Sequence, residues 1–219
     1  MELQRLDADL HTLYERLINR EYLETDFSQK NKYNIPERTQ EFFKYLSDYC
    51  KNARTWEAIL QKFEMAKISR IANLCPGRAP KIELALYYLG YQGVIEIIDK
   101  DTKAMDQIQN FMHLFKYEYK IQKRVTDIFA AKKSTPYELI IANHIIDDTF
   151  LFFYAKRKKI GIEDIYTNES KLVQLWETVL KEDTTAIQEA FLEELSNFLI
   201  CISEKGTIVI FSQYQSYIE

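Results

Sequence analysis

Short apolar runs rich in isoleucine and valine alternate in this sequence with stretches whose apolar residues recur every three or four positions. The runs at residues 94–98 and 137–142 are typical of buried strands, and the stretches between such runs have the periodicity of amphipathic helices. Strands separated by helices indicate crossover connections and a mostly parallel sheet. The sequence therefore predicts an α/β chain with a doubly wound sheet.

The alternating pattern begins near residue 66, and residues 66–219 are expected to form one α/β domain. Strands are expected at residues 68–74, 94–98, 119–125, 137–142 and 207–211. Helices are expected at residues 81–89 and 102–115, after residue 144, and around Trp176 and Phe191. The polar segment 204–206 is expected to form a turn before the last strand.

Residues 1–65 contain no glycine and show only helical patterns. Leu3, Leu6 and Leu10 begin a series of leucines spaced by three and four positions, which places them on one helix face. Two further helices are expected, one around Phe43 and one around Trp56. We expect this segment to be a helical N-terminal cap, or a module through which a homodimer forms.

Charge and hydropathy exclude several classes of protein. The 219 residues carry 29 Lys and Arg against 33 Asp and Glu, a formal net charge of −4, which is not the basic balance of a nucleic-acid-binding protein. A local basic patch at Lys156, Arg157, Lys158 and Lys159 is consistent with an anionic or RNA substrate, although a solvated helix end is the commoner explanation.

The longest apolar runs have six residues, whereas a membrane span needs about 18. The three cysteines show no spacing typical of metal or redox sites. We therefore expect a soluble, cytoplasmic protein without a membrane segment or a metal site.

Three predicted strands end at residues suited to binding a nucleoside. The first strand leads into a loop at residues 73–80 that contains Gly77, the second ends at Asp99, and Asp127 and Ile128 follow the third. Ligands of parallel sheets bind beyond the carboxyl ends of the strands. There a glycine such as Gly77 lets a ligand approach the backbone closely, and an acid such as Asp99 can accept hydrogen bonds from ribose hydroxyls. An acid beside an apolar residue, such as Asp127 with Ile128, can bind adenine.

These segments resemble the motifs of class I S-adenosylmethionine-dependent methyltransferases, a family with a Rossmann-like fold. Segment 73–79 (Asn-Leu-Cys-Pro-Gly-Arg-Ala) is similar to the family's glycine-rich first motif, 95–99 (Ile-Glu-Ile-Ile-Asp) to the second and 125–129 (Val-Thr-Asp-Ile-Phe) to the third. Segments 137–148 and 205–210 are similar to the fourth motif and to the turn that enters strand 5. The resemblance covers roughly residues 66–215.

The resemblance implies that the chain binds S-adenosylmethionine and transfers its methyl group to an acceptor. The cofactor-binding residues that it implies are Asn73, Cys75, Gly77, Asp99, Asp127 and Ile128. At the end of the fourth strand, Asn143 and His144 would face the acceptor, and a histidine has a pKa suited to a general base. The strand-4 end lacks an Asn/Asp-Pro-Pro-Tyr/Phe segment, which favours a small-molecule acceptor over a nucleic-acid base.

The first motif departs from the family pattern. Asn73 stands where the family has Asp, and Cys75 and Ala79 stand where it has glycines, so that Gly77 alone is retained. The family's final antiparallel strand pair is expected to be absent or truncated, because the sequence stops just after the fifth predicted strand.

These departures keep open an alternative function, a non-catalytic methyltransferase-like scaffold or regulatory subunit that acts by protein–protein interaction. An NAD-dependent oxidoreductase is less favoured, because the loop lacks the G-x-G-x-x-G pattern.

Overall fold

The computed structural model describes residues 37–77, 79–112, 117–130, 135–143, 145–161 and 169–213. The strands are β1 (Arg70–Leu74), β2 (Val94–Asp99), β3 (Lys120–Val125), β4 (Tyr137–Asn143) and β5 (Ser203–Ser212). The helices are α1 (Glu37–Leu60), α2 (Lys81–Tyr88), α3 (Thr102–Met112), α4 (Ile146–Lys158), α5 (Glu169–Lys181) and α6 (Thr185–Ile202). Short 3₁₀ helices occupy Met65–Lys67 and Ile128–Ala130.

The five strands form one sheet in the order β3-β2-β1-β4-β5, and every neighbouring pair is parallel. The first three strands proceed to one edge, after which the chain returns past β1 and adds β4 and β5 on the other side. The strand order therefore reverses between β1 and β4, which is the switch point near which such sheets bind ligands. The predicted fold class, an α/β chain with a doubly wound, Rossmann-like parallel sheet, is confirmed.

The central strands are buried almost throughout, which explains why their apolar residues do not alternate with polar ones. Ile71, Ile98 and Ile140, from β1, β2 and β4, are all 0% exposed. Parallel sheets generally bury both faces, so successive side chains of a central strand are apolar. The edge strand β3 is more exposed and carries lysines at positions 120 and 123, as expected for an edge that has to avoid pairing with other chains.

The structure corrects two expectations. Residues 37–60 form one continuous helix instead of the two expected around Phe43 and Trp56, and no glycine or proline interrupts this segment. The polar segment 204–206 lies inside β5 instead of forming a turn before it. Tyr137 pairs with Ser203 and Leu139 with Ile208, so β5 carries extra residues there, and Gly206 accommodates the irregularity with a φ of 98°.

Contacts divide the chain into two compact units. One unit contains α1, α2 and the second half of α3, and the other contains the complete sheet with α4, α5 and α6. In the first unit α1 packs against α2, and the Tyr119 hydroxyl donates a hydrogen bond to the Glu83 carbonyl (2.6 Å). The helical cap over residues 1–65 and a homodimer through it remain predictions, and residues 1–36 lie outside the described ranges.

In the second unit, aromatic side chains of α4 and α6 pack together in the core. The Phe191 ring lies 5.5 Å from that of Phe150 and 5.7 Å from that of Phe153, both nearly edge to face. Such tilted ring pairs are favoured by the charge distribution of aromatic rings. This packing fixes α4 against α6 next to β4 and β5.

No described helix combines the length and apolar composition needed to cross a membrane. The cytoplasmic location remains a prediction.

Candidate functional site

The loop that leaves β1 is held by two hydrogen bonds to β2. The backbone N–H of Cys75 donates to the carbonyl of Ile98 (2.8 Å), which continues the β1–β2 ladder by one residue. Two residues later, the backbone N–H of Gly77 donates to the carboxylate of Asp99. Three predicted site residues, Cys75, Gly77 and Asp99, are therefore brought together at the carboxyl end of the sheet.

The backbone of this loop has the conformation of a glycine loop. Cys75 has a φ of 46° and Gly77 a φ of 63°, both in the left-handed region. A Cβ built at Gly77 would meet no atom within 4 Å, so the space beside it is open. Cys75 stands where the resemblance places a glycine, and the backbone there keeps the glycine-like conformation at a strain of about 1 kcal/mol.

The Cys75 thiol is not a nucleophile in this setting. Burial raises the pKa of Cys75 well above its ordinary value, and the negative charges of Asp99, Asp127 and Asp148 raise it further. Thiol reactivity requires the thiolate. Cys75 therefore fills space at the strand ends and stays protonated at neutral pH.

Asp99 is only 7% exposed. One of its carboxylate oxygens, Oδ1, accepts a hydrogen bond from the backbone N–H of Asp101 (2.9 Å). The carboxylate also accepts bonds from the backbone N–H groups of Lys100 and Gly77. Burial outweighs these bonds and raises the pKa of Asp99. A carboxylate has about four acceptor positions, so a ligand with two hydroxyls would have to share or displace one of the existing donors.

Asp127 lies directly before the 3₁₀ helix that follows β3. Its Oδ1 accepts a hydrogen bond from the backbone N–H of Phe129 (3.0 Å). The N–H of Thr126 donates to the carbonyl of Asp99 (3.0 Å), so the β2 and β3 ends remain in register up to the site. Ile128 is 3% exposed and packs in the core cluster of this unit. The carboxylate of Asp127 is thus at the strand ends, while the side chain of Ile128 lies beneath them.

Two predicted residues differ in how far they reach the surface. Asn73 is 0% exposed and is flanked in register by Ile97 of β2 and Ile141 of β4. Asn143 is partly exposed at the end of β4, where its Oδ1 accepts a hydrogen bond from the hydroxyl of Ser212 (2.7 Å). This bond uses the amide oxygen and orients the NH₂ group, which is a donor.

His144, the predicted general base, lies outside the described residues. Sequence reasoning did not find Ser212, because its role depends on the register of β4 and β5.

Lys100 is a second residue that sequence reasoning missed. Its Nζ lies 3.4 Å from the centre of the Phe152 ring, a cation–π contact. Burial lowers the pKa of Lys100, while nearby Asp127, Asp99 and Asp101 act in the opposite direction. The available signal was its position directly after the acid that ends β2.

Among the residues that the structure describes, the charges at the strand ends are mostly negative. Asp99, Asp101, Asp127 and Asp148 interact there with the cation Lys100, and we call these five residues the acidic strand-end cluster. One positive and four negative formal charges sum to −3. Such a site attracts cationic ligands and repels anionic ones. In the described ranges, no three His, Cys, Asp or Glu side chains are grouped so as to hold a metal ion.

The basic patch lies at the end of α4. Lys156, Arg157 and Lys158 form the last turn, where positive charge interacts favourably with the helix dipole, and Lys159 is the left-handed C-cap. Arg157 pairs with Glu194 (3.2 Å), and Lys158 pairs with Glu182 (2.5 Å). Nucleic-acid binding by this patch remains a prediction.

No family model matches the sequence, and no curated protein matches it either. In structure the chain is similar to the S-adenosylmethionine-dependent methyltransferase SibL, with a TM-score of 0.39, 11% identity and coverage of 58% of this chain. The chain spans 38% of the length of SibL.

The chain is also similar in structure to two N-methyltransferases. NodS from Bradyrhizobium japonicum WM9 has a TM-score of 0.42 and 13% identity, with coverage of 74% of this chain and 67% of NodS. The glycopeptide N-methyltransferase MtfA, solved with S-adenosylmethionine, has a TM-score of 0.42 and 10% identity, with coverage of 74% of this chain and 51% of MtfA.

Proposed function

We propose that this chain binds S-adenosylmethionine at the carboxyl ends of β1, β2 and β3 and transfers its methyl group to a small-molecule acceptor. The observation that carries the proposal is the contact between the glycine-like loop of Gly77 and Asp99, the acid that ends β2. This contact joins an open backbone to a carboxylate at the end of the sheet where ligands of doubly wound proteins bind.

The charges of the site support this cofactor over a dinucleotide. The acidic strand-end cluster suits a ligand that carries a sulfonium and an ammonium group, whereas the pyrophosphate of NAD would be repelled. In this proposal Asp99 accepts a hydrogen bond from a ribose hydroxyl, and Asp127 accepts one from the adenine amino group. The loop at Gly77 approaches the amino-acid end of the cofactor. When bound, the cofactor supplies a methyl group activated by positively charged sulfur.

The chain's own contribution would be positioning and desolvation. The NH₂ group of Asn143, oriented by Ser212, would donate a hydrogen bond to the acceptor. His144 would take the proton that the acceptor's nucleophilic group loses. The side chain of Asn73 is fully buried, so any contribution of Asn73 to cofactor binding would come from within the sheet and not from its surface.

A second candidate function is a non-catalytic scaffold or regulatory subunit. Two observations favour it: the Cys75 side chain occupies a position that the resemblance gives to glycine, and Asp99 already accepts three backbone hydrogen bonds. The first feature reduces the space for a nucleoside, and the second reduces the number of acceptor positions left for its hydroxyls. The two functions differ in whether the folded chain binds the cofactor.

Calorimetric titration of the full chain with S-adenosylhomocysteine tests the proposal. We expect a dissociation constant of roughly micromolar size, weakened by about tenfold or more in Asp99→Asn, because a charge-assisted hydrogen bond is lost. Asp106→Asn is the matched control, since Asp106 is an exposed acid paired with Lys123 in the same unit. No binding by a chain that melts cooperatively would reject the cofactor site and favour the scaffold.

A further inference from the structure

A cavity of about 300 Å³ lies between α4, α6 and the 3₁₀ helix that follows β3. Three aromatic and three charged side chains line it: Phe129, Phe152, Phe153, Lys156, Arg157 and Glu194. Sites for small molecules start at about this volume and combine apolar walls with a few polar groups. The cavity is therefore of a size and composition that suit a small ligand with a planar apolar part.

The aromatic walls are held in place by the core. The rings of Phe129 and Phe153 lie 5.7 Å apart at 61°, and the Phe129 ring lies 5.8 Å from that of buried Phe191 at 72°. Phe153 is itself 3% exposed, so its orientation is set by packing. Fixed rings in tilted arrangements favour another planar ring, whose edge or face complements theirs.

The charged side chains of the cavity favour an anion. Arg157 pairs with Glu194 (3.2 Å), so the charges of these two residues balance each other. The guanidinium carbon of Arg157 also lies 4.9 Å from the centre of the Phe153 ring. Lys156 makes no ion pair within the part of the chain that the structure describes. The lining thus has one positive charge in excess, and carboxylates form strong charge-assisted hydrogen bonds with lysine and arginine.

The cavity adjoins the acidic strand-end cluster through two of its phenylalanines. The ammonium of Lys100 lies over the ring of Phe152, and the backbone N–H of Phe129 donates a hydrogen bond to the carboxylate of Asp127. One side of this neighbourhood is therefore negative and the other, at Lys156, is positive.

We propose that this cavity binds a small aromatic carboxylate, with the ring among Phe129, Phe152 and Phe153 and the carboxylate at Lys156. The aromatic walls select the ring, and the excess positive charge selects the anion over its neutral analogue. The site stands on its own residues and does not require that the chain binds S-adenosylmethionine.

The test uses benzoate as the probe, titrated into the full chain without cofactor and followed by NMR chemical shifts. Benzamide has the same ring without the charge, and cyclohexanecarboxylate has the charge without an aromatic ring. We expect benzoate to bind about tenfold or more tightly than either, because both features contribute.

Variants locate the site. Lys156→Gln should weaken benzoate binding by about three- to tenfold and leave benzamide binding unchanged. Lys159→Gln removes the same charge from the same patch but does not line the cavity, and it should bind benzoate like the wild type. Phe152→Leu should weaken benzoate binding and leave cyclohexanecarboxylate binding unchanged.

The proposal is overturned if the folded chain does not bind benzoate at about 10 mM, a concentration that detects even poor small ligands. It is equally overturned if Lys156→Gln and Lys159→Gln weaken binding alike, because general attraction to the basic patch would then explain it. Binding of S-adenosylhomocysteine is measured separately, so that failure of the cofactor site and failure of this cavity are distinguishable.

Discussion

The backbone N–H of Gly77 donates a hydrogen bond to the carboxylate of Asp99, and so connects the loop after β1 to the acid that ends β2. The two residues are 22 positions apart in sequence, and neither belongs to a regular ladder pair with the other. The contact makes the loop conformation and the state of the carboxylate interdependent. Changes at one residue should therefore be measurable at the other.

Gly77→Ala should lower the free energy of unfolding by about 1 kcal/mol, because a φ of 63° is unfavourable for alanine. If the loop approaches the cofactor, this variant should also weaken binding of S-adenosylhomocysteine. Gly90→Ala is the matched control, since Gly90 has a φ of 64°, equally open surroundings and a position at the end of α2. Urea denaturation and calorimetry measure the two effects, and equal affinities in both variants would exclude Gly77 from the site.

Cys75→Gly should raise the affinity for S-adenosylhomocysteine, because it removes a side chain from the strand ends while keeping the loop conformation. Cys75→Ala is the comparison, since alanine retains the strain of a left-handed residue that glycine relieves. We expect the glycine variant to be more stable than the alanine variant by about 1 kcal/mol. Equal stability of the two variants in urea would show that the φ of 46° carries no strain.

Asp99 should make stability depend on pH in the mildly acidic range. Burial raises the pKa of Asp99 in the folded chain above its ordinary value of about 3.9. Its contribution to stability is therefore fully present below pH 3.9 and is lost as the pH rises through the raised pKa. Relative to Asp99→Asn, the wild type should gain stability as the pH is lowered through this window. Parallel curves of unfolding free energy against pH would contradict this expectation.

Glu138 should show the opposite dependence at the amino end of β1. Burial acts to raise the pKa of Glu138, but hydrogen bonds from the backbone N–H groups of Arg70 and Ser69 and from the Ser69 hydroxyl outweigh it and lower the pKa. This contribution is present above the ordinary pKa of about 4.3 and is lost as the pH falls through the lowered value.

Glu138→Gln should therefore destabilise the chain by only about 1 kcal/mol at neutral pH, because solvent screens the partly exposed carboxylate. The difference should vanish in acid. Glu204→Gln, at an exposed position of β5, serves as the control and should change little. A Glu138→Gln effect that persists unchanged at low pH would mean that the charge is not its source.

The sheet was predictable from the sequence because local pattern and burial agree there. The β-branched run that forms β2 is buried, and the order of strands and helices follows from crossover connections. The meeting of Gly77 with Asp99 follows from the same rule, since parallel strands end at one edge. In contrast, the sequence of α1 has two separate apolar patterns, and periodicity alone did not show that they belong to one helix.

The side-chain pairings of the site were not predictable in this way. Lys100 contacts Phe152 about 50 residues later, and this contact depends on how α4 packs. Ser212 donates a hydrogen bond to Asn143 about 70 residues earlier, and this bond depends on the register of β5. The burial of Ile128 and Asn73 is likewise a property of the packed core. A cysteine does not by itself indicate a left-handed φ. The only signal was that Cys75 stands at a glycine position of the first motif.

The central position of β1 has a consequence for the chain during its synthesis. Ile71 pairs with Ile95, which lies 24 residues later, and with Leu139, which lies 68 residues later. At about 5–20 residues per second, one side of β1 stays unpaired for seconds after the other is complete. The emerging chain thus presents an apolar strand edge until residues 139–142 leave the ribosome, and in that interval association with other chains competes with folding.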